Sequence, residues 1–291
     1  MAGGPADIAV LEVAPNDSHS AALAATRADA RYRAVVVITS GGLPGLAPLN
    51  AVDLAGKKPS GPPVVQVSSE ERPWLHAAAA AQNIGTVNAQ LQRADARARN
   101  VVAILPGSDA NLAPIVIHVG ASGWGPCVGE RGGALMCWVT GVQFMIENRP
   151  ARATVFVAAS GDELGHLGIK AFEKRHPELV THAYGWLNLG ANLGAHASPL
   201  RVTGTQADWQ RMALARLKIE SAKLDSSLDD AARLSIDGTV GPSTVPHLDF
   251  SAPPSAAFHL PQDRLPDAVD IRQVLAISRG FGRTVLELAK T

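Results

Sequence analysis

Ala153-Thr154-Val155-Phe156-Val157-Ala158-Ala159 runs directly into Ser160-Gly161-Asp162-Glu163-Leu164-Gly165-His166-Leu167-Gly168. The first stretch is an unbroken apolar and β-branched run, the pattern of a strand buried on both faces. Two adjacent carboxylates then stand in a Gly-flanked turn, although solvating both would be easier almost anywhere else. At the carboxyl end of a strand in an open α/β sheet, such residues face the crevice in which ligands bind. Neighbouring acids there can divide labour, one holding a metal and one moving a proton. The structural alternative is a surface turn in which Asp162 caps the helix that follows.

Outward from this stretch the alternation repeats. Strand-like runs at Ile8–Val13, Ala34–Thr39, Pro63–Val67, Asn100–Leu105, Pro114–Val119, Thr154–Ala159, Tyr184–Leu189 and Leu200–Gly204 are separated by other segments. Helical runs fall at Ser18–Ala30, Glu71–Gln82, Ala134–Glu147, Gly165–His176, Gln206–Ala222 and Ala268–Lys290. Strands spaced by helices predict an α/β fold built on a doubly wound, mostly parallel mixed sheet. Composition changes near residue 99. Before it, an Ala-rich part is broken by turn signals at Gly41-Gly42-Leu43-Pro44-Gly45 and Lys57-Lys58-Pro59-Ser60-Gly61-Pro62-Pro63. After it the alternation is regular. The expected division is a smaller N-terminal α/β domain at 1–99 and a larger domain at 100–291, with Asn88–Arg99 as a short helix or link.

The 291 residues are 46% hydrophobic, enough for a sizeable core, and 26 basic residues balance 26 acidic ones. No clustered Lys/Arg face suits nucleic acid or an anionic membrane. No apolar run approaches the ~20 residues of a membrane span, and the first residues lack the basic and apolar regions of a signal peptide. The expectation is a soluble, cytoplasmic protein without nucleic-acid or membrane partners. Cys127 and Cys137 form no C-x-x-C pair. Cys137 reads as a mid-helix core residue, and Cys127, in a loop near Glu130, as an inert thiol or a nucleophile.

Four segments occur in order: Asn100-Val101-Val102-Ala103-Ile104-Leu105-Pro106-Gly107-Ser108, the Ser160–Gly168 stretch, Asn188-Leu189-Gly190, and Phe258-His259-Leu260-Pro261-Gln262-Asp263. Together they resemble the zinc-dependent aminopeptidase family related to glutamate carboxypeptidase and bacterial leucyl aminopeptidases. The matched features are its opening strand, its Glu-Glu motif, its Asn-Leu-Asp and its late Tyr-His-Thr-Pro-x-Asp. Residues 1–99 resemble the protease-associated domain often inserted in these enzymes, best at Pro62-Pro63-Val64-Val65-Gln66-Val67-Ser68.

The resemblance implies a dinuclear zinc site with two His and three acidic ligands, one acid bridging the metals, and a further Glu as general base. By position, Glu163 matches a metal-binding Glu and His259 the late His. Asp162 takes the place of the general base, and Glu130 falls where the bridging Asp belongs. The third acidic ligand becomes Gly190, which has no side chain to coordinate. The first His falls on His118 or on Ser122, according to whether His118-Val119-Gly120 or Val119-Gly120-Ala121-Ser122 is matched. The second match keeps the Gly-Ala aligned and is preferred. Either way, the second metal loses at least one ligand.

Three functions stay open. Glu130, Glu163 and His259 would hold one zinc per chain. Asp162 would then deprotonate its water for attack on a small amide- or peptide-like substrate, with Arg131, Trp124 and Ser122 contacting that substrate. Alternatively, Glu130, Arg131, Asp162, Glu163 and His259 form a metal-independent acid/base set for a lyase, isomerase or hydrolase. The third reading is a catalytically inactive aminopeptidase-like protein that binds or assembles. The expected partner is a small molecule or short peptide, with self-association or a partner subunit covering the Pro/Ala-rich segments.

Overall fold

The apolar runs form two separate sheets in a computed structural model that describes residues 7–15, 17, 20–50, 61–90, 92, 94–224 and 245–290. The first sheet is three-stranded and parallel, in the order β1 (Asp7–Val13), β2 (Tyr32–Thr39), β3 (Val64–Ser68). Helices α1 (Ala21–Ala28) and α2 (Arg72–Ala80) accompany it, and Val13, Val35, Val37 and Leu49 form its core. The expected helix start at Ser18 and the turn residues Lys57 to Ser60 lie outside the described residues.

The second sheet has six strands: β4 (Val101–Leu105), β5 (Ile115–Gly120), β6 (Thr154–Ala159), β7 (Gly185–Leu189), β8 (Arg201–Gly204) and β9 (His247–Ser251). Their order is β4-β6-β5-β7-β9-β8, with parallel pairing inside and antiparallel pairing at both edges. Alternate side chains of β5 serve opposite faces, as the period-2 pleat requires. Ile115, Ile117 and Val119 pack with Phe156, Leu187 and Phe250 under α3 (Gly133–Asn148), α6 (Ala207–Lys223) and α7 (Ile271–Ala289). Val116 packs with Val157, Ile169 and Trp186 under α4 (Leu167–Arg175) and α5 (Pro177–His182). This is the doubly wound, mostly parallel mixed sheet that the strand–helix alternation predicts.

The expected strands and helices all appear among the described residues, with ends shifted by a few positions. Two elements, α5 and β9, were not anticipated. The stretch 94–99 carries no regular secondary structure, so the link reading of Asn88–Arg99 fits it better than a helix.

Candidate functional site

The site is assembled by three chain reversals at one end of the six-stranded sheet. After β6, Gly161 and Gly165 take left-handed φ of 76° and 84° and bracket a 3₁₀ turn at Asp162–Leu164. Glycine adopts such φ without Cβ strain, so the two acids are turned back toward the strand ends. After β5, a π-helical turn at Val128–Gly132 leads into α3 and presents Glu130 and Arg131. Asp263 anchors that turn: its carboxylate accepts from the backbone N–H of Gly129 and, at 2.9 Å, from that of Glu130. The loop 255–263 also brings in His259, whose Nδ1 donates to the Pro48 carbonyl at 2.6 Å and whose Nε2 lies 3.6 Å from Glu130 Oε1.

Arg131 sits among the acids. Its Nη1 lies 3.2 Å from Asp162 Oδ2, and its Nη2 lies 3.1 Å from Glu130 Oε1 and 3.0 Å from Glu163 Oε1. Nε donates to the Ser122 carbonyl at 3.0 Å. Glu130, Asp162 and Glu163 are all buried. Burial opposes the charge on Arg131, but the three carboxylates outweigh it and raise its pKa, so it stays a cation. Burial alone would also raise Asp162. His166, with Nδ1 3.6 Å from Oδ1, and the Arg131 charge overcome that and hold the carboxyl below its usual range.

Ser122 is fully engaged. Its hydroxyl donates to Glu163 Oε2 at 2.6 Å and accepts from the backbone N–H groups of Gly161 at 2.9 Å and Asp162 at 3.1 Å. It ties the turn to the strand end and has no capacity left for a substrate. The Trp124 indole N–H donates at 3.1 Å to Asn50 Oδ1, and 41% of its surface is exposed. Gly120 makes room for the ion cluster. A Cβ there would collide with Asp162 Oδ2 and stand 2.7 Å from Arg131 Nη1. At Gly190 a Cβ would fall 2.9 Å from the Ser251 Cβ, so the backbone itself is packed against β9 where the family resemblance places an acidic ligand.

A cavity of about 260 Å³ opens beside this cluster, lined by Glu130, Arg131 and Asp162 together with His118, Asn188 and Asp249. The second group comes from sheet register. His118 on β5 pairs with Asn188 on β7, Asn188 with Asp249 on β9, and Asp249 with Thr203 on β8. Registered neighbours share a face, so four polar side chains form a row across the interior of the sheet. Asn188 Nδ2 donates to Asp249 Oδ1 at 2.7 Å. Burial pushes His118 down to about 4, against the opposing pull of Asp162, and it raises Asp249. The sequence reading had His118 only as an alternative ligand and missed Asn188 as a side chain, Asp249 and Thr203. The missed signal was the alternation His247-Leu248-Asp249-Phe250-Ser251, whose polar positions share one face.

The residues were tested as a metal site by their donor chemistry. His259 Nε2 lies near Glu130 Oε1, but the guanidinium also reaches that oxygen and Glu163 Oε1, and Ser122 takes Glu163 Oε2. Among the described residues no group of three or more His, Cys, Asp or Glu is arranged to hold a metal ion. The set does not fit zinc. The thiols add nothing: burial raises Cys127 and pushes Cys137 up to about 12.

In fold, the chain is similar to zinc aminopeptidases. A peptidase M28 precursor from Shewanella amazonensis superposes on 98% of this chain and 69% of its own, with a TM-score of 0.68 and 16% identity. A zinc aminopeptidase from Bacillus subtilis covers 98% and 70% respectively, with a TM-score of 0.63 and 14% identity. An aminopeptidase from Aneurinibacillus covers 98% and 69%, with a TM-score of 0.59 and 16% identity. At these identities the likeness speaks to the fold alone. No family model and no curated protein sequence matches the chain. Among the described residues no helix is long and apolar enough to cross a membrane.

Proposed function

We propose that this chain uses the peptidase fold as a metal-independent binding site for a small molecule, and that it does not hydrolyse peptides. The observation that carries this is Arg131, whose guanidinium stands among Glu130, Asp162 and Glu163 at 3.0 to 3.2 Å. A fixed internal cation neutralises the acids that the resemblance assigns to metal. Zinc catalysis needs three protein ligands and an open position for water, and neither remains beside a bound guanidinium.

The metal-independent acid/base alternative is less well supported. An efficient acid or base titrates near the working pH. Asp162 is held below the carboxylate range, and His118 titrates at about 4. Both are weak proton acceptors at neutral pH. Ser122, the other polar group at the turn, has its hydroxyl fully used. The cluster is suited to holding shape and charge.

The division at residue 99 belongs to the same reading. The smaller N-terminal part lays residues 44–50 across the site, through Pro48 to His259, Asn50 to Trp124 and Pro44 to Gln262, and so narrows access to small ligands.

The test is elemental analysis of protein purified without chelator, together with thermal unfolding in added zinc and an assay on amino-acid anilides. The expected results are no stoichiometric zinc, no rise in Tm and no hydrolysis. About one zinc per chain would overturn the proposal if it stabilised the fold by the ~2.7 kcal/mol that saturation at a hundredfold excess over Kd provides and supported hydrolysis.

A further inference from the structure

The cavity holds a set of buried polar atoms without hydrogen-bond partners. His118, Asn188 and Asp162 are each about 95% buried. His118 Nε2, Asn188 Oδ1, Asp249 Oδ2 and Asp162 Oδ1 have no hydrogen-bond partner among the described residues. Unpaired buried polar atoms are rare, and each costs about 1–3 kcal/mol unless something supplies the missing bond. Asn188 cannot cure its own deficit by an amide flip, because its Nδ2 is already committed to Asp249 at 2.7 Å.

The charges around the cavity are one-sided. Glu130, Asp162 and Asp249 line it, and Glu163 stands behind Arg131. Against them Arg131 is the one permanent cation among the lining residues, and it is already divided among three carboxylates. The facing histidines do not complete the pairing: His247 Nε2 is 3.7 Å from Asp249 Oδ2, and His166 Nδ1 is 3.6 Å from Asp162 Oδ1. Phe258 adds aromatic wall to the lining, a surface that also favours cations.

We propose that this cavity binds a small organic cation carrying several N–H donors, a primary amine or a guanidine, held by Asp249, Asn188 and Asp162. Three carbonyl or carboxylate oxygens need donors, and the surplus of negative charge needs a cation. Among the described residues no group of three or more His, Cys, Asp or Glu is arranged to hold a metal ion, whereas an alkyl guanidine carries several N–H groups and its own apolar chain. A volume of about 260 Å³ admits a molecule of that size. The inference rests on the metal-free reading above and names the class of ligand for the same site.

The experiment is isothermal titration of the full chain with agmatine, which carries a guanidine and an amine, and with glutarate as an anion of comparable length. Agmatine is expected to bind with a Kd below about 1 mM and glutarate not to bind by about 10 mM. Asp249→Asn removes the charge while keeping the shape, and Phe258→Arg places a like charge at the partly exposed rim. Each should weaken agmatine at least about tenfold, the loss expected for one charged hydrogen bond, with circular dichroism and Tm reporting that the variants fold. Glutarate binding more tightly than agmatine, agmatine failing to bind by about 10 mM, or agmatine binding that neither variant weakens would each overturn the proposal. Zinc content of the same preparation separates the two claims. A zinc-free chain that ignores agmatine sinks only the ligand class, whereas stoichiometric stabilising zinc sinks the metal-free reading itself.

Discussion

Arg131 spends four of the five N–H donors of its fork on Glu130, Asp162, Glu163 and the Ser122 carbonyl. Removing it leaves three buried carboxylates facing one another without a counter-charge. Arg131→Ala is therefore expected to cost about 3–5 kcal/mol in urea unfolding, the usual penalty for breaking a buried ion pair by deleting one partner. Arg131→Lys should recover only part of that, because an ammonium is a compact point charge that cannot span three partners. His118 gives a separate, pH-dependent signature. Its ordinary pKa of 6.5 is lowered to about 4 in the fold, so the unfolded chain takes up a proton that the folded one refuses. Stability should fall as the pH drops from about 6.5 to about 4, by on the order of 3 kcal/mol in all, and His118→Gln should flatten that limb. Asp162 acts in a lower window. Its folded pKa is depressed, so its contribution is complete above the ordinary carboxylate value of about 3.9 and fades as the pH falls from there toward the lower folded value. Stability against pH, followed by urea midpoints at fixed m, distinguishes the two limbs.

At the scale of elements, the site depends on how closely the end of β5 approaches the turn after β6. Gly120 is the contact point, because any side chain there would occupy the space of Asp162 and Arg131. Gly120→Ala should destabilise by about 1–3 kcal/mol, as overpacking does, and should shift the Asp162–Arg131 pair. Chemical denaturation measures the first effect and binding of the cavity ligand the second. A tolerance within about 0.5 kcal/mol, typical of uncrowded surface sites, would show that the strand end yields. The reversal after β6 was legible in the sequence: the apolar run Thr154–Ala159 ends where the strand does, and Gly161 and Gly165 frame the acids as expected. Strand β9 was not legible in the same way. At five residues, with only Leu248 and Phe250 apolar, it offers too short an alternation to stand out from a loop. Its place between β7 and β8 is set by pairing with residues some sixty positions earlier, and such pairing has no local signature. Asp249 was lost with it.

At the scale of the whole molecule, the N-terminal part reaches the site through its 44–50 loop. The N-terminal part supplies Pro48 to the His259 imidazole and Asn50 to both Trp124 and the cavity lining. Trp124, expected at the substrate, donates to Asn50, which also lines the cavity. On the metal-free reading proposed above, the fold should be indifferent to chelation: millimolar EDTA is expected to leave Tm unchanged within about 1 °C, since a ligand that does not bind contributes nothing by linkage. A fall of several degrees that zinc reverses would contradict this.

The sequence by itself determined the architecture. Apolar runs of strand length, helices between them and balanced charge leave few ways to bury the core other than a doubly wound sheet, because burial depends on patterns within each element. It also placed Glu130, Arg131, Asp162, Glu163 and His259 in one crevice. What those groups do there was decided only by tertiary structure. A linear match assigns Glu130, Glu163 and His259 to a metal equally well whether a guanidinium stands among them or points to solvent, and the difference is one of ångströms between residues on separate elements. Ser122 reads as a free hydroxyl until the turn at Gly161 closes on it. The row from His118 through Asn188 to Asp249 exists only because three strands distant in sequence pair in register. Electrostatic energy falls off with distance in space, not along the chain, so charge pairing and unsatisfied acceptors emerge only when the elements are packed.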